Sequence, residues 1–558
     1  MDPTPTTLEM SSVNSRSPRS LPKSSYIVVL MLCAVYVAEC SWFIHTQSLT
    51  YDEPVHIAAG QDAWRNNRFQ MWNDHPPLAR LWCTLPILGK HWQVHVYGLP
   101  DGFRADQIAP DPQALSWRAR TMNVFLGLAL GLFLWDSARK MFSNGAAILV
   151  MTLFVASPVL IAHFSVATTD GAATLFIFLT VIFLMRWRAN PSWVNTAAFG
   201  ILLGLLLLSK FSTPVIFMVA LLWMLVLNKE AIELKPWQWN WGKALIALLL
   251  AFVTVWAGYF FHISRLTLHD HQLTTTFPNR PPVVYEGVKT SFNFSIPVPA
   301  GEYLEGFRNV VRHNRFGQIS FFGGHISRRG FMLYFPVAIL LKWPIVVLVI
   351  FVIVLVLAMR RIIQFPSGWW VLMSFPIAYF AFAIFSRFDI GDRHVLPIYP
   401  FILLLACGIW DFARRQRVLG KLIIIAVLLQ AVDTLRYAPD YLSYFNPFVP
   451  PTRSYRLLTD SNLDWGQGLL ALGRYQSAHP GEQISLAYFG SVDPRVYGIQ
   501  ANPLGEEERA TGTVVISASH LSGQFLQNSA AYHWALQYPL KAVLNHSLYV
   551  FDVPALHR

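Results

Sequence analysis

Two acids stand side by side at Asp52 and Glu53, in the segment Thr50-Tyr51-Asp52-Glu53-Pro54. A carboxylate held near a hydroxyl can take its proton as that oxygen attacks. If the leaving group is a phosphate, fixed cations must face the charge that develops on it. The cation candidates are His75, Lys210, Arg393 and His394, and Asp170 in Ala167-Thr168-Thr169-Asp170 is a further acid. Lys342 lies inside an apolar run, where an ionisable side chain is costly and is usually paired or functional.

Each of these residues also has a plain structural reading. Asp52 and Glu53 could cap the helix that follows, because acids favour helix N-termini. Asp170 could cap in the same way, and His75 could be a hydrogen-bonded structural histidine. Lys210 sits at a tight turn from which a lysine reaches water readily. Lys342 could pair with an acid on another helix. Arg393 and His394, at the end of an apolar run, could anchor an interface. The two acids of Asp460-Ser461-Asn462-Leu463-Asp464-Trp465-Gly466-Gln467 read as a structural turn, because no ligand cluster accompanies them.

The elements that must position these residues are membrane helices. The 558-residue chain is 54% hydrophobic and only 13% charged, with mean hydropathy +0.40. A soluble domain carries about 25% charged residues. Apolar runs at roughly 26–44, 121–137, 145–163, 171–186, 195–209, 213–228, 243–262, 332–358, 369–386, 395–412 and 421–436 predict about eleven transmembrane helices. The net charge of +12 comes largely from short basic clusters beside these runs, so it does not point to nucleic acid. Four cysteines form no CxxC pair, which suggests neither a disulfide framework nor a zinc site.

The basic clusters set the topology. Arg16, Arg19 and Lys23 precede the first run. Arg139-Lys140, Arg186 with Arg188, Lys229 with Lys235, Arg360-Arg361, and Arg414-Arg415 with Arg417 occupy alternate loops. With eleven spans all six fall on one side, the cytoplasm by the positive-inside bias. Residues 1–25 then read as a disordered cytoplasmic tail with no cleavable signal peptide, and the first run as a signal anchor. Residues 26–436 form the transmembrane domain, with outer loops at 45–120 and 263–331. Residues 437–558, with alternating segments such as Ile484–Tyr488 and Thr513–Ile516, predict a small extracytoplasmic α/β domain. The stretch from Leu81-Trp82 to Leu88 is expected to lie along the membrane surface.

Tyr51-Asp52-Glu53-Pro54 together with Asn73-Asp74-His75-Pro76-Pro77-Leu78 resembles the first-loop signature of the protein O-mannosyltransferases and the related aminoarabinose transferases. The similarity continues through Thr169-Asp170, Leu208-Ser209-Lys210-Phe211, Tyr334-Phe335-Pro336 with Leu341-Lys342, and Gly391-Asp392-Arg393-His394-Val395-Leu396-Pro397. It extends into Asp460–Gln467 of the tail. The resemblance implies a GT-C fold, a sugar donor carried on a polyprenyl or dolichyl phosphate, and Asp52 as catalytic base with Glu53 beside it. It also implies that the His-Pro-Pro segment helps shape the donor site. The expected substrate contacts are His75, Asp170, Lys210, Lys342, Arg393 and His394. The aminoarabinose transferases tend to have a lysine where this chain has His75.

This reading requires no cofactor, and a divalent metal finds no support in the sequence. The expected partners are the lipid-phosphate sugar, membrane lipids and a protein, lipid or glycan acceptor, in an inner (plasma) membrane. A transporter or flippase is the alternative, but the two repeated halves with broken helices that such proteins show are not visible. A receptor built around the outer tail would leave the Asp-Glu loop and Lys342 without a purpose.

Overall fold

The computed structural model describes residues 23–89, 111–214, 217–218, 240–269, 272–285, 293–363, 365 and 369–554. The expected N-terminal tail, most of the expected span 213–228 and the Lys229–Lys235 cluster lie outside them.

Helix α1 (Lys23–Thr46) leads to Asp52, and α2 (Glu53–Asn66) and α3 (Leu78–Thr84) fold within the first loop. Next come α4 (Pro112–Met141), α5 (Asn144–Val155), α6 (Pro158–Phe164), α7 (Thr169–Ala189), α8 (Trp193–Leu207) and α9 (Trp241–Gly258). Several of these helices begin where the sequence supplies a cap. The Asp111 carboxylate accepts from Ala114 N ahead of Pro112, Ser143 accepts from Ala146 N, and Asn240 accepts from Lys243 N. Such caps satisfy backbone donors that the first turn leaves free.

Among the described residues, six helices are long and apolar enough to cross a membrane, and up to eight if two bent pairs count as spans. The expected run 145–163 is one such pair, α5 and α6, bent by 65°. The break falls at Ser157-Pro158, where proline lacks an N–H and disfavours helix before it. The run 332–358 is the other pair, α11 (Tyr334–Lys342) and α12 (Ile345–Met359), bent by 114° around Pro344. The runs at 195–209 and 369–386 become shorter apolar helices, Trp193–Leu207 and Leu372–Ile384. The last of these lies within α13 (Trp369–Ile384), followed by α14 (Tyr399–Ala406), α15 (Ile409–Ala413) and α16 (Arg417–Tyr437). Helix α16 leaves Leu428, Leu429, Val432 and Leu435 about 60% exposed, an apolar surface suited to lipid. The segment expected to lie on the membrane surface packs inward instead: Leu81, Cys83 and Ile87 are buried, and Trp82 Nε1 donates to Met122 O of α4 at 2.7 Å.

The basic ends of α4 and α7 meet on one side. Asp136 accepts from Arg139 at 2.8 Å, Lys140 at 2.6 Å and Arg186 at 3.3 Å. Asp170, in the first turn of α7, marks the opposite end.

Between α9 and α11 the second loop folds into an antiparallel sheet in the order β3-β2-β1-β4, from β1 (Ile263–His269), β2 (Gln272–Thr276), β3 (Val283–Tyr285) and β4 (Phe294–Pro299). Helix α10 (Gly301–Phe316) and the hairpin of β5 (Ser320–Phe322) and β6 (His325–Ser327) follow. The tail is the expected α/β unit. Helix α17 (Leu469–Ala478) accompanies a five-stranded mixed sheet in the order β10-β11-β9-β7-β8. Its strands are β7 (Ile484–Ala487), β8 (Ala501–Pro503), β9 (Gly512–Ser517), β10 (Leu540–Leu544) and β11 (Leu548–Val553).

The tail is bonded into the helical domain. Tyr51 N donates to Trp465 O at 2.8 Å and Ser48 N to Gln467 O at 3.0 Å. Lys342, fully buried, donates to the carbonyls of Leu442, Tyr444 and Asn462. Burying an ammonium costs several kcal/mol unless its hydrogen bonds are replaced, and three carbonyls at the end of α11 replace them.

Candidate active site

A cavity of about 290 Å³ opens between the first loop, α10, α13 and the turn before α14. Asp52, His75, Lys210, Arg393 and His394 line it with Trp72, Phe211, Phe307, Phe335, Tyr379 and Phe382. Asp170 is buried behind them.

Arg393 joins these parts. Its Nη1 lies 3.2 Å from Asp52 Oδ2 and 3.4 Å from Asp170 Oδ2. Its Nε donates to Ser461 Oγ at 2.9 Å, and its guanidinium carbon sits 4.1 Å from the centre of the Trp465 ring. Lys210 Nζ pairs with the other Asp170 oxygen at 2.6 Å. Two cations and two carboxylates thus form one linked array in the cavity wall.

The adjacent acids have separate surroundings. Glu53 is fully buried and pairs bidentately with Arg120 of α4 at 2.8 and 2.7 Å. It also accepts from Ala167 N and Thr50 N, each at 2.7 Å. Burial pushes its carboxyl up, but Arg120 and the backbone donors outweigh that and hold it below the usual range. Glu53 does not line the cavity, and its two oxygens are saturated. Asp52 is the N-terminal flank of α2, yet its side chain makes no capping bond. It faces the cavity with its side chain 18% exposed. Burial raises its carboxyl above the ordinary range; Arg393 opposes this and Asp170 reinforces it. A carboxyl raised toward neutrality is better suited to general-base work than an unperturbed one.

His75 and His394 reach the cavity in surroundings that disfavour their charged form. Burial, followed by cationic and imidazole neighbours, holds both well below the usual imidazole range. In the neutral form they offer hydrogen bonds to whatever occupies the cavity. Lys342, expected as a substrate contact, does not line the cavity; its ammonium is taken up by three backbone carbonyls of the tail. Among the described residues, no group of three or more His, Cys, Asp or Glu side chains is placed to hold a metal ion.

Several residues gain weight only from the geometry. Asp74 lines the cavity with Oδ1 free of any hydrogen bond. Ser461 and Trp465 hold Arg393. Asn462 accepts from Asp392 N at 2.9 Å and donates to Tyr334 Oη at 2.8 Å. The Asp460–Gln467 segment is therefore more than a turn: it forms one wall behind the charged array. Its occurrence among the family-like segments was the available signal.

This architecture, with a multi-helix membrane domain, cavity-facing loops and a tail sheet folded back onto them, is of the GT-C type. The chain aligns over 95% of its length with 98% of ArnT from Cupriavidus metallidurans, solved bound to undecaprenyl phosphate, at 13% identity and a TM-score of 0.50. The apo structure of the same protein aligns with a TM-score of 0.49. The S. cerevisiae protein O-mannosyltransferase Pmt1-Pmt2 complex, solved with its sugar donor, aligns over 75% of this chain and 90% of that chain, at 12% identity and a TM-score of 0.47. More particularly, the family model for dolichyl-phosphate-mannose-protein mannosyltransferase matches residues 113–256. No curated protein matches the chain significantly.

The contrast between the two acids predicts a contrast in stability. Glu53→Gln leaves Arg120 buried without its counterion, at a cost of about 3–5 kcal/mol. Asp52→Asn costs much less, because Arg393 keeps Asp170 and Ser461. Thermal unfolding of the purified variants in detergent should show a clearly lowered midpoint for Glu53→Gln alone. Equal midpoints would remove the distinction.

Proposed function

We propose that this protein is a membrane glycosyltransferase that moves a hexosyl or pentosyl group from a polyprenyl-phosphate carrier to an acceptor hydroxyl at the outer membrane face. The observation that carries this reading is the linked array of Asp52, Arg393 and Lys210 in the wall of one cavity, joined through Asp170 buried behind it. The family-model match to dolichyl-phosphate-mannose transferases over residues 113–256 supports it.

In this scheme the acceptor oxygen attacks the anomeric carbon as the carbon–oxygen bond to phosphate breaks. Asp52 takes the hydroxyl proton, and the bonding pair leaves with the lipid phosphate. Proton uptake neutralises Asp52 while it is 3.2 Å from Arg393. The guanidinium thereby loses a counterion as negative charge grows on the leaving group. Lys210, still paired with Asp170, is the second cation. His75 and His394 orient the donor as neutral hydrogen-bonding groups, and Glu53 positions Asp52 through the start of α2. Attack opposite the phosphate inverts the anomeric configuration. The acceptor is a protein, lipid or glycan hydroxyl, and the enzyme resides in the plasma membrane.

Purified protein incubated with a synthetic polyprenyl-phosphate sugar and candidate acceptors should yield product of inverted anomeric configuration, read by NMR. Arg393→Ala should lower the rate about 10²–10³-fold, as the loss of one electrostatic donor does elsewhere. A product of retained configuration contradicts single displacement. Undiminished transfer by folded Arg393→Ala would remove that residue from the scheme.

The outward orientation rests on the basic loops. A reporter active only outside the cytoplasm, fused after Arg558, should be active. A stable but inactive fusion would reverse the topology.

A further inference from the structure

Beside the cavity mouth, three segments far apart in sequence bring arginines together. Gly317, at φ +71°, lies so close to Arg328 O that a Cβ there would sit 2.0 Å from it. Arg387 Nη1 donates to Arg315 O at 2.8 Å, and Gln318 N donates to Arg387 O at 3.1 Å. The end of α10, the β5–β6 hairpin and the loop after α13 thus converge. Arg312, one turn before Arg315, and Arg329, next to Arg328, join them, and all five are exposed.

None of the five forms an ion pair among the described residues. Asp389, two residues after Arg387, is 1% exposed, accepts from Phe331 N at 2.5 Å and packs against Gly330. Burial pushes its carboxyl up to about 7, so near neutral pH it carries only part of a negative charge. Like charges carried on adjoining segments repel unless an anion is present.

Large apolar side chains are interleaved with the arginines. Phe316 is 72% exposed, Leu333 64% and Phe385 75%. Leu333 immediately precedes α11 and Phe385 immediately follows α13, so the cluster lies where apolar helices end. Exposed apolar groups mixed with basic ones at that level fit a membrane interface carrying anionic head groups.

We propose that Arg312, Arg315, Arg328, Arg329 and Arg387 form a binding site for the phosphate-bearing head group of a membrane lipid, seated in the interface beside the cavity mouth. Phosphate oxygens accept from several guanidinium groups at once, while Phe316, Leu333 and Phe385 border the acyl chains. The site stands independently of the transfer reaction.

The test is native mass spectrometry of the full-length protein in detergent, with diphosphatidylglycerol or phosphatidylcholine of matched acyl chains. The wild type should retain diphosphatidylglycerol and not phosphatidylcholine. R315Q/R328Q/R387Q should lose that retention at least tenfold with its unfolding midpoint unchanged. If that triple variant misfolds, R312Q/R329Q, altering only exposed side chains, should still weaken retention several-fold. Unchanged retention in a folded variant, or equal retention of phosphatidylcholine, would overturn the proposal. Displacement by millimolar inorganic pyrophosphate would assign the arginines to a soluble phosphate instead of a lipid and would likewise overturn it.

Discussion

The Arg393 guanidinium is the contact on which the arrangement of this protein depends. Asp52 and Asp170 come from the first loop and from the start of α7, and both lie within 3.4 Å of the same nitrogen. Without a cation between them the two carboxylates would repel, and away from bulk water like charges repel more strongly than in it. Trp465 and Ser461 of the tail fix the far side of the guanidinium. The helical domain, the first loop and the tail therefore share one electrostatic centre, and the tail is part of the site's wall.

The broken helices put that centre at one level. Beyond the break from α5, helix α6 ends in the loop that carries Ala167, whose N–H reaches Glu53, and the chain restarts at α7 with Asp170. The break between α11 and α12 sets Lys342 where its ammonium can hold three carbonyls of the tail. Arg120 and Lys342 are thus buried cations that organise backbone, while Arg393 and Lys210 face the cavity. The same division separates the neighbouring acids: Glu53 is saturated and Asp52 is open.

Much of this was legible in the sequence. Long apolar runs gave most of the helices, because helix length is dictated by hydrocarbon thickness, and the alternating strands of the tail gave its α/β character. Asp52, His75, Lys210, Arg393 and His394 do meet at one cavity. What the sequence hid was direction. Adjacent residues at a helix start point to different surroundings, so nothing in Asp52-Glu53 itself distinguishes the open acid from the Arg120-bound one. Lys342 was visible as an anomaly, but carbonyl partners from a tail segment 100 and more residues away leave no periodic trace. The bends at Pro158 and Pro344 were readable as prolines, though not as breaks that shift whole helices. Residue type alone does not report that both histidines are enclosed in surroundings that disfavour their charged form.

The most direct measurement is single-turnover sugar transfer from a polyprenyl-phosphate donor by folded Asp52→Asn protein. That substitution keeps the shape of the side chain and removes its basic carboxylate. The account predicts a fall in rate of about 10²–10⁴-fold, with donor binding retained. Transfer at the wild-type rate by a folded Asp52→Asn protein would contradict it and would place the proton acceptor elsewhere in the cavity.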